Sequence, residues 1–216
     1  MKIRAFYTRN GDLKFISHLN TIDLLQRGVF STDKKIAFTK GFNPRPKMSF
    51  GNPLPLGVSS DLEVFDVEII DEIEISEFIK KMNEYLPEEI QIIKAYNADT
   101  SPSISKIIEY SIYEFTIYSE IKLENVNLDF EELMISRERK SKKGSPREFI
   151  RENIGPNVKL ISSFDKMEDG KYRIVAQLEN SVDKIINPVN FILGLFSKYN
   201  MNISIDDVDI HKKDMK

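Results

Sequence analysis

The stretch Gly41–Gly57, reading GFNPRPKMSFGNPLPLG, constrains this chain more than any other part of it. It holds four of the nine prolines (Pro44, Pro46, Pro53, Pro55) and three of the nine glycines (Gly41, Gly51, Gly57). Proline fixes φ and removes a backbone donor, while glycine enters conformations closed to other residues. The segment can therefore be neither a helix nor a regular central strand. It is no flexible linker either, because Phe42, Met48, Phe50, Leu54 and Leu56 give it apolar anchors to bury. The expected object is a rigid, extended loop pinned to a core. The cations in and beside it, Lys40, Arg45 and Lys47, meet no acid within the segment. Such a loop is either a basic connection or a preformed surface for an anionic partner, since ordered loops on a scaffold often carry function.

The charge distribution is uneven along the chain. Residues 1–53 carry ten cations and three acids, whereas residues 61–99 carry twelve acids and three cations. The formal net charge of −3 conceals this asymmetry, which sets a basic segment beside an acidic one. At 216 residues and 41% apolar content the chain can bury one large core or two smaller ones. No apolar run is long enough to span a bilayer, and no signal-peptide pattern follows Met1, so a cytoplasmic protein is expected. Cysteine is absent, which excludes disulfides, thiolate zinc sites and cysteine-ligated iron–sulfur clusters. With two histidines far apart, His18 and His211, no metal set forms, and no phosphate-cradling glycine motif is present. No metal or cofactor is expected.

Taken in order, residues 2–9 alternate as a strand, with Ile3, Ala5 and Tyr7 on one side. Ser17 caps a helix running to about Phe30, with Leu19, Ile22, Leu25, Val29 and Phe30 on its buried face. Residues 36–39 form a short strand entering the Gly/Pro loop. Leu62–Ile70 alternates again, placing Phe65, Val67 and Ile69 inward and Asp66 and Glu68 outward. Ser76 opens a second helix that stops before Pro87, and residues 89–96 form a further strand. This β-α-β-β-α-β order is the ferredoxin-like pattern. The polar stretch 99–103 is the best boundary. It separates an N-terminal domain, 1–98, bearing the basic loop 40–57, from a C-terminal domain, 104–216.

The second half repeats the outline less regularly. Residues 110–119 are a strand, and the Ser145-Pro146-Arg147-Glu148 capping box predicts a short helix to about Asn153. Residues 158–164 and 171–179 read as a hairpin closed at 167–170. Asn187-Pro188 opens a helix with Val189, Ile192, Leu193 and Phe196 buried, and residues 202–210 form a last strand with a phase slip at Asp206-Asp207. The fold class is α+β, two tandem ferredoxin-like units, the second carrying a basic insertion at 137–151. Arg139, Lys140, Lys142 and Lys143 in that insertion are candidate phosphate contacts, or a solvated loop.

His18 lies one residue past the N-cap of the first helix, where the helix dipole favours a neutral ring. It is a structural residue, a ligand contact or a general base facing the Gly/Pro loop. Asn43 and Arg45 are expected to meet it there. The run FISHLNTIDLLQR (15–27), followed by AFTKGFNPRPKMSFGNPLPLGVSSDLEVFDVEI (37–69), resembles the radical-SAM-linked protein family. That family is a bacterial domain of unknown function encoded beside or fused to a radical SAM protein. The match lies at Phe15, Ser17, His18 and Leu19, at Gly41, Phe42, Asn43, Pro44 and Pro46, and at Gly57, Ser60, Glu63 and Asp66. Asn20 stands where the family usually has Asp. The tandem outline is also similar to CRISPR repeat-processing endoribonucleases, whose C-terminal glycine-rich loop is missing here.

The expected function is a non-catalytic accessory protein that binds RNA or a ribosomal particle, working for the radical SAM partner that the resemblance implies. His18, Lys40, Asn43, Arg45, Lys47 and the 139–143 cations make the contacts. The alternatives are a metal-independent endoribonuclease using His18 with Lys40 or Arg45, and a protein–protein adaptor docking through the acidic 61–99 face.

Overall fold

The computed structural model describes the whole chain except residues 120, 121, 124, 125, 140–147, 168 and 169, and the side chains of 138, 139 and 148. It is a mixed α+β fold in two compact units. The first comprises Met1–Glu109 with Lys212–Lys216, the second Tyr110–His211.

In the first unit, β1 (Lys2–Arg9) leads through a 3-10 turn, Gly11–Phe15, into α1 (His18–Phe30). Ser17 caps α1 as expected, its hydroxyl accepting from the Asn20 amide at 3.1 Å. Then come β2 (Met48–Phe50), β3 (Val58–Glu68), α2 (Ile75–Tyr85) and β4 (Ile92–Asn97). β1 pairs antiparallel with both β3 and β4, and β2 pairs antiparallel with β3, giving the order β4-β1-β3-β2. Ile3, Ala5, Tyr7, Phe65 and Val67 face the two helices and form the core with Leu25, Val29, Phe78 and Met82.

This core changes several expectations. The buried face of α1 is Thr21, Leu25, Gly28 and Val29, while Leu19 and Phe30 are 70% and 49% exposed. The reason is α2. A Cβ at Gly28 would lie 3.1 Å from the Met82 methyl, so the helices meet along the bare glycine rather than along Leu19 and Phe30. The strand expected at 36–39 is reduced to isolated bridges, Ile36 to Ile69 and Phe38 to Pro46. Asp66, expected outward in water, is buried, because Arg4 opposite it on β1 grips both carboxylate oxygens at 2.7 and 2.8 Å. α2 starts after Glu74, not after a Ser76 cap.

The second unit contains β5 (Tyr110–Ile117), β6 (Met134–Arg139), β7 (Glu148–Asn153), β8 (Val158–Lys166), β9 (Tyr172–Glu179) and α3 (Pro188–Lys198). β10 (Val208–Met215) begins here, giving the order β10-β5-β9-β8. The helix expected to end near Asn153 is instead the strand β7, held by its pairing with β6 from Met134↔Asn153 to Arg139↔Glu148. Its capping residues 145–147 lie outside the described residues. Asn187 does cap α3, accepting from the amides of Val189 and Asn190. The buried face of α3 includes Phe191, Ile192, Leu195 and Phe196, with Leu193 41% exposed. The slip at Asp206-Asp207 is a 3-10 turn, Ile205–Asp207, rather than a bulge.

Candidate functional site

The Gly/Pro segment divides into an exposed finger and an anchored part. In the finger, the Thr39 amide donates to the Arg45 carbonyl at 2.8 Å and the Arg45 amide returns to the Thr39 hydroxyl at 3.0 Å. Below these bonds, the Lys47 amide donates to the Ala37 carbonyl at 2.8 Å. At the tip Gly41 has φ +140°, a conformation that resists any side chain. Leu54 is buried and Met48 and Phe50 half-buried, which anchors the base. Phe42 and Leu56 were expected to be anchors too, yet Phe42 is fully exposed and Leu56 is 62% exposed. The tight turn leaves the Phe42 ring nothing to pack against. Phe38, 44% exposed, lies 6.4 Å from Phe30, ring to ring.

The finger's polar residues fall into two groups. Lys40, Asn43 and Arg45 are exposed, and their side chains make no hydrogen bond or ion pair among the described residues. Lys47 is paired with Glu68 at 2.9 Å. The tip thus combines a bare aromatic ring with two unpaired cations on a hydrogen-bonded backbone.

A second polar site lies where β1 ends and α1 begins. Arg9 is 2% exposed, and its Nη2 donates to the carbonyls of Lys14 at 2.9 Å and Pro55 at 3.1 Å. It thereby clamps the turn before α1 to the loop before β3. Its Nε is buried with no hydrogen-bond partner. Burial pushes the Arg9 guanidinium down from its ordinary value, against the charge of Glu63. Tyr7 stands opposite Glu63 in the β1–β3 register, and burial and the Glu63 charge push its phenol far up, so it stays protonated. Glu63 is held by Lys212 at 2.9 Å and by the Ser60 hydroxyl at 2.8 Å, both at Oε1.

His18 overlooks this cluster. Its ring meets Phe50 edge-on at 6.3 Å between centroids, and it makes no hydrogen bond among the described residues. Burial first, then the Arg9 charge, holds its pKa below the ordinary histidine value, while Glu63 opposes them. His18 therefore does face the Gly/Pro segment, but through Phe50. No hydrogen bond joins it to Asn43 or Arg45, whose contacts are those of the finger.

In the second unit, Arg137 is paired with Glu152 at 2.5 Å, and Lys184 also donates to that carboxylate. Arg151 lines a groove of about 370 Å³ together with Met134, Leu193 and Lys198. Arg139 closes β6, its side chain outside the described residues, as are Lys140, Lys142 and Lys143. Among the described residues, no group of three His, Cys, Asp or Glu could hold a metal, and no helix is long and apolar enough to cross a membrane.

Residues 2–188 match the profile of a family described as an uncharacterized protein conserved in bacteria (DUF2344). The chain belongs to this family. No curated protein matches it. The matched range takes in the finger, Tyr7, Arg9, His18 and Glu63, and it ends before Lys212.

Reading the residues alone took Tyr7 for a core residue or a base-stacking ring and overlooked Arg9 and Lys212. Tyr7 has the ordinary strand period of a core residue, and Arg9 at a strand end suggests solvent. Lys212 lies 149 residues from the carboxylate it neutralises, so no local pattern could pair them. Glu63 and Ser60 were visible only through the family resemblance, which matches at Gly57, Ser60, Glu63 and Asp66.

Proposed function

We propose that this chain is a non-catalytic accessory protein that binds single-stranded RNA, free or exposed on a ribonucleoprotein, through the 37–47 finger. One observation carries the reading: the fully exposed Phe42 beside the unpaired Lys40 and Arg45. A bare aromatic ring costs solubility unless a partner covers it, and nucleobases stack on such rings with little regard to sequence. Cations beside it meet the phosphates, releasing counterions. The rigid finger has already surrendered the entropy that a floppy loop would lose on binding. Arg139, Lys140, Lys142 and Lys143 are further phosphate contacts in this reading.

The strand orders β4-β1-β3-β2 and β10-β5-β9-β8 support two ferredoxin-like units, with the β6–β7 hairpin standing where the second unit's first helix would lie. The partnership with a radical SAM protein, and a cytoplasmic place of work, rest on the resemblance of residues 15–27 and 37–69. Without cysteine, cluster chemistry belongs to that partner. A ribonuclease would need His18 working with Lys40 or Arg45, whereas His18 packs on Phe50 and the two cations belong to the finger.

The test is fluorescence anisotropy of a labelled single-stranded RNA across a salt series. Lys40→Ala with Arg45→Ala should flatten the slope of log K against log salt by about 0.7 for each phosphate no longer neutralised. Phe42→Ala should weaken binding about tenfold with the slope unchanged. Wild-type slope and affinity in both variants contradict the finger as the interface. Cleavage in metal-free buffer that vanishes in His18→Ala contradicts the non-catalytic role.

A further inference from the structure

The polar site between β1 and α1 is unlike a satisfied core network, because its free groups are nearly all donors. The Arg9 Nε–H is buried and unpartnered in a residue 2% exposed. The Tyr7 hydroxyl, in a residue 5% exposed, makes no hydrogen bond among the described residues. The half-buried His18 ring is equally without one. An orphaned buried donor such as the Arg9 Nε–H is destabilising, and a natural protein retains one where something else supplies the acceptor. The nearby acid, Glu63, is bonded through Oε1 to Lys212 and Ser60 and makes no hydrogen bond to Arg9, Tyr7 or His18 among the described residues. Asp61, further along β3, is paired with Lys213 at 3.5 Å.

Charge points the same way. Arg9 and Lys212 are cationic and Glu63 anionic, so with Tyr7 protonated and His18 neutral the cluster keeps one uncompensated positive charge. The N-terminus of the 13-residue α1 adds its partial positive charge beside His18.

We propose that this cluster is a binding site for a tetrahedral oxyanion, a phosphate group, held by Arg9 Nε, the Tyr7 hydroxyl, His18 and the first turn of α1. Its source is either free inorganic phosphate or the terminal phosphate of an RNA. The site stands apart from the finger and requires nothing of the RNA reading.

Calorimetric titration of the intact chain with inorganic phosphate tests it. A single saturable site in the millimolar range or tighter is expected. Tyr7→Phe keeps the ring in the core and removes one donor, and should weaken binding about fivefold. Sulfate is the probe for His18, because its charge is constant across neutral pH. Sulfate should bind more tightly at about pH 6 than at about pH 8, since the anion draws a proton onto the imidazole, and His18→Gln should abolish that dependence. Arg9 is left in place because it clamps the fold, so these two milder variants decide. No saturable binding of phosphate or sulfate, or binding unaltered in both Tyr7→Phe and His18→Gln, overturns the proposal. A 5′-phosphorylated oligoribonucleotide that outcompetes its 5′-hydroxyl counterpart in wild type, but not in His18→Gln, assigns the site to an RNA end. Equal binding of the two, with inorganic phosphate still bound, assigns it to the free anion.

Discussion

Arg4 and Asp66 show how one residue can contradict its own pattern. Alternation along β3 places Asp66 on the side opposite Phe65 and Val67, which reads as solvent. The arginine across the β1–β3 ladder turns that position into a buried, doubly hydrogen-bonded ion pair, its guanidinium also donating to the Pro102 carbonyl at 2.6 Å. The hydrogen bond that Arg4 donates to Asp66, foremost, raises the Arg4 pKa against the pull of burial. Removing one partner leaves the other charge buried. Asp66→Ala should therefore cost about 3–5 kcal/mol, whereas replacing both by apolar residues of similar volume should cost much less. Urea midpoints of the single and double variants check this, and equal losses in the two would contradict it.

Elements were legible where their signals were local. Ser17 and Asn187 each announce a helix, and each accepts from its helix's first amides. β7 was not legible, because a capping box is a local signal and β7 exists only through its partner β6. That hairpin rests against α3 at Gly194, where a Cβ would lie 2.9 Å from both the Met134 carbonyl oxygen and Ile135 Cγ2. Backbone cannot yield as a flexible side-chain tip can. Gly194→Ala should therefore destabilise the second unit by about 1–3 kcal/mol despite alanine's better helix propensity, and a thermal melt measures it. Glu152 on β7 gives the hairpin a pH dependence. Lys184 first, then Arg137, stabilise its ionised form, so its pKa lies below the ordinary glutamate value. The contribution is complete above the unfolded pKa and is lost as pH falls through the folded one. Hydrogen exchange of β6 and β7 amides should accelerate on acidification, and Glu152→Gln should flatten that acid limb.

At the scale of the whole molecule, the chain's course was the least legible feature. The α+β class and the strands β1, β3 and β4 follow from period and punctuation, whereas β2 lies inside the stretch read as a loop. The return of Lys212–Lys216 to the first unit does not, because it depends on a buried carboxylate far back in sequence. Met215 joins Val64, Ile104 and Ile108 in an apolar cluster at the same place. Deleting residues 212–216 should leave Glu63 buried beside Ser60 alone and cost the first unit about 3–5 kcal/mol. An unfolding free energy from urea titration lowered by less than about 0.5 kcal/mol would deny the segment that role. The candidate interface was half legible. The cations Lys40 and Arg45 were evident from composition, but the exposure of Phe42 followed only from the turn that strands it.

Ultraviolet crosslinking of a single-stranded RNA to the intact protein, followed by mass spectrometry of the crosslinked peptides, tests the finger directly. Crosslinks should centre on Phe42 and disappear both in Phe42→Ala and in Lys40→Ala with Arg45→Ala. Crosslinks confined to the second unit, or an absence of crosslinks under conditions where RNA is bound, would contradict the finger as the RNA-binding surface.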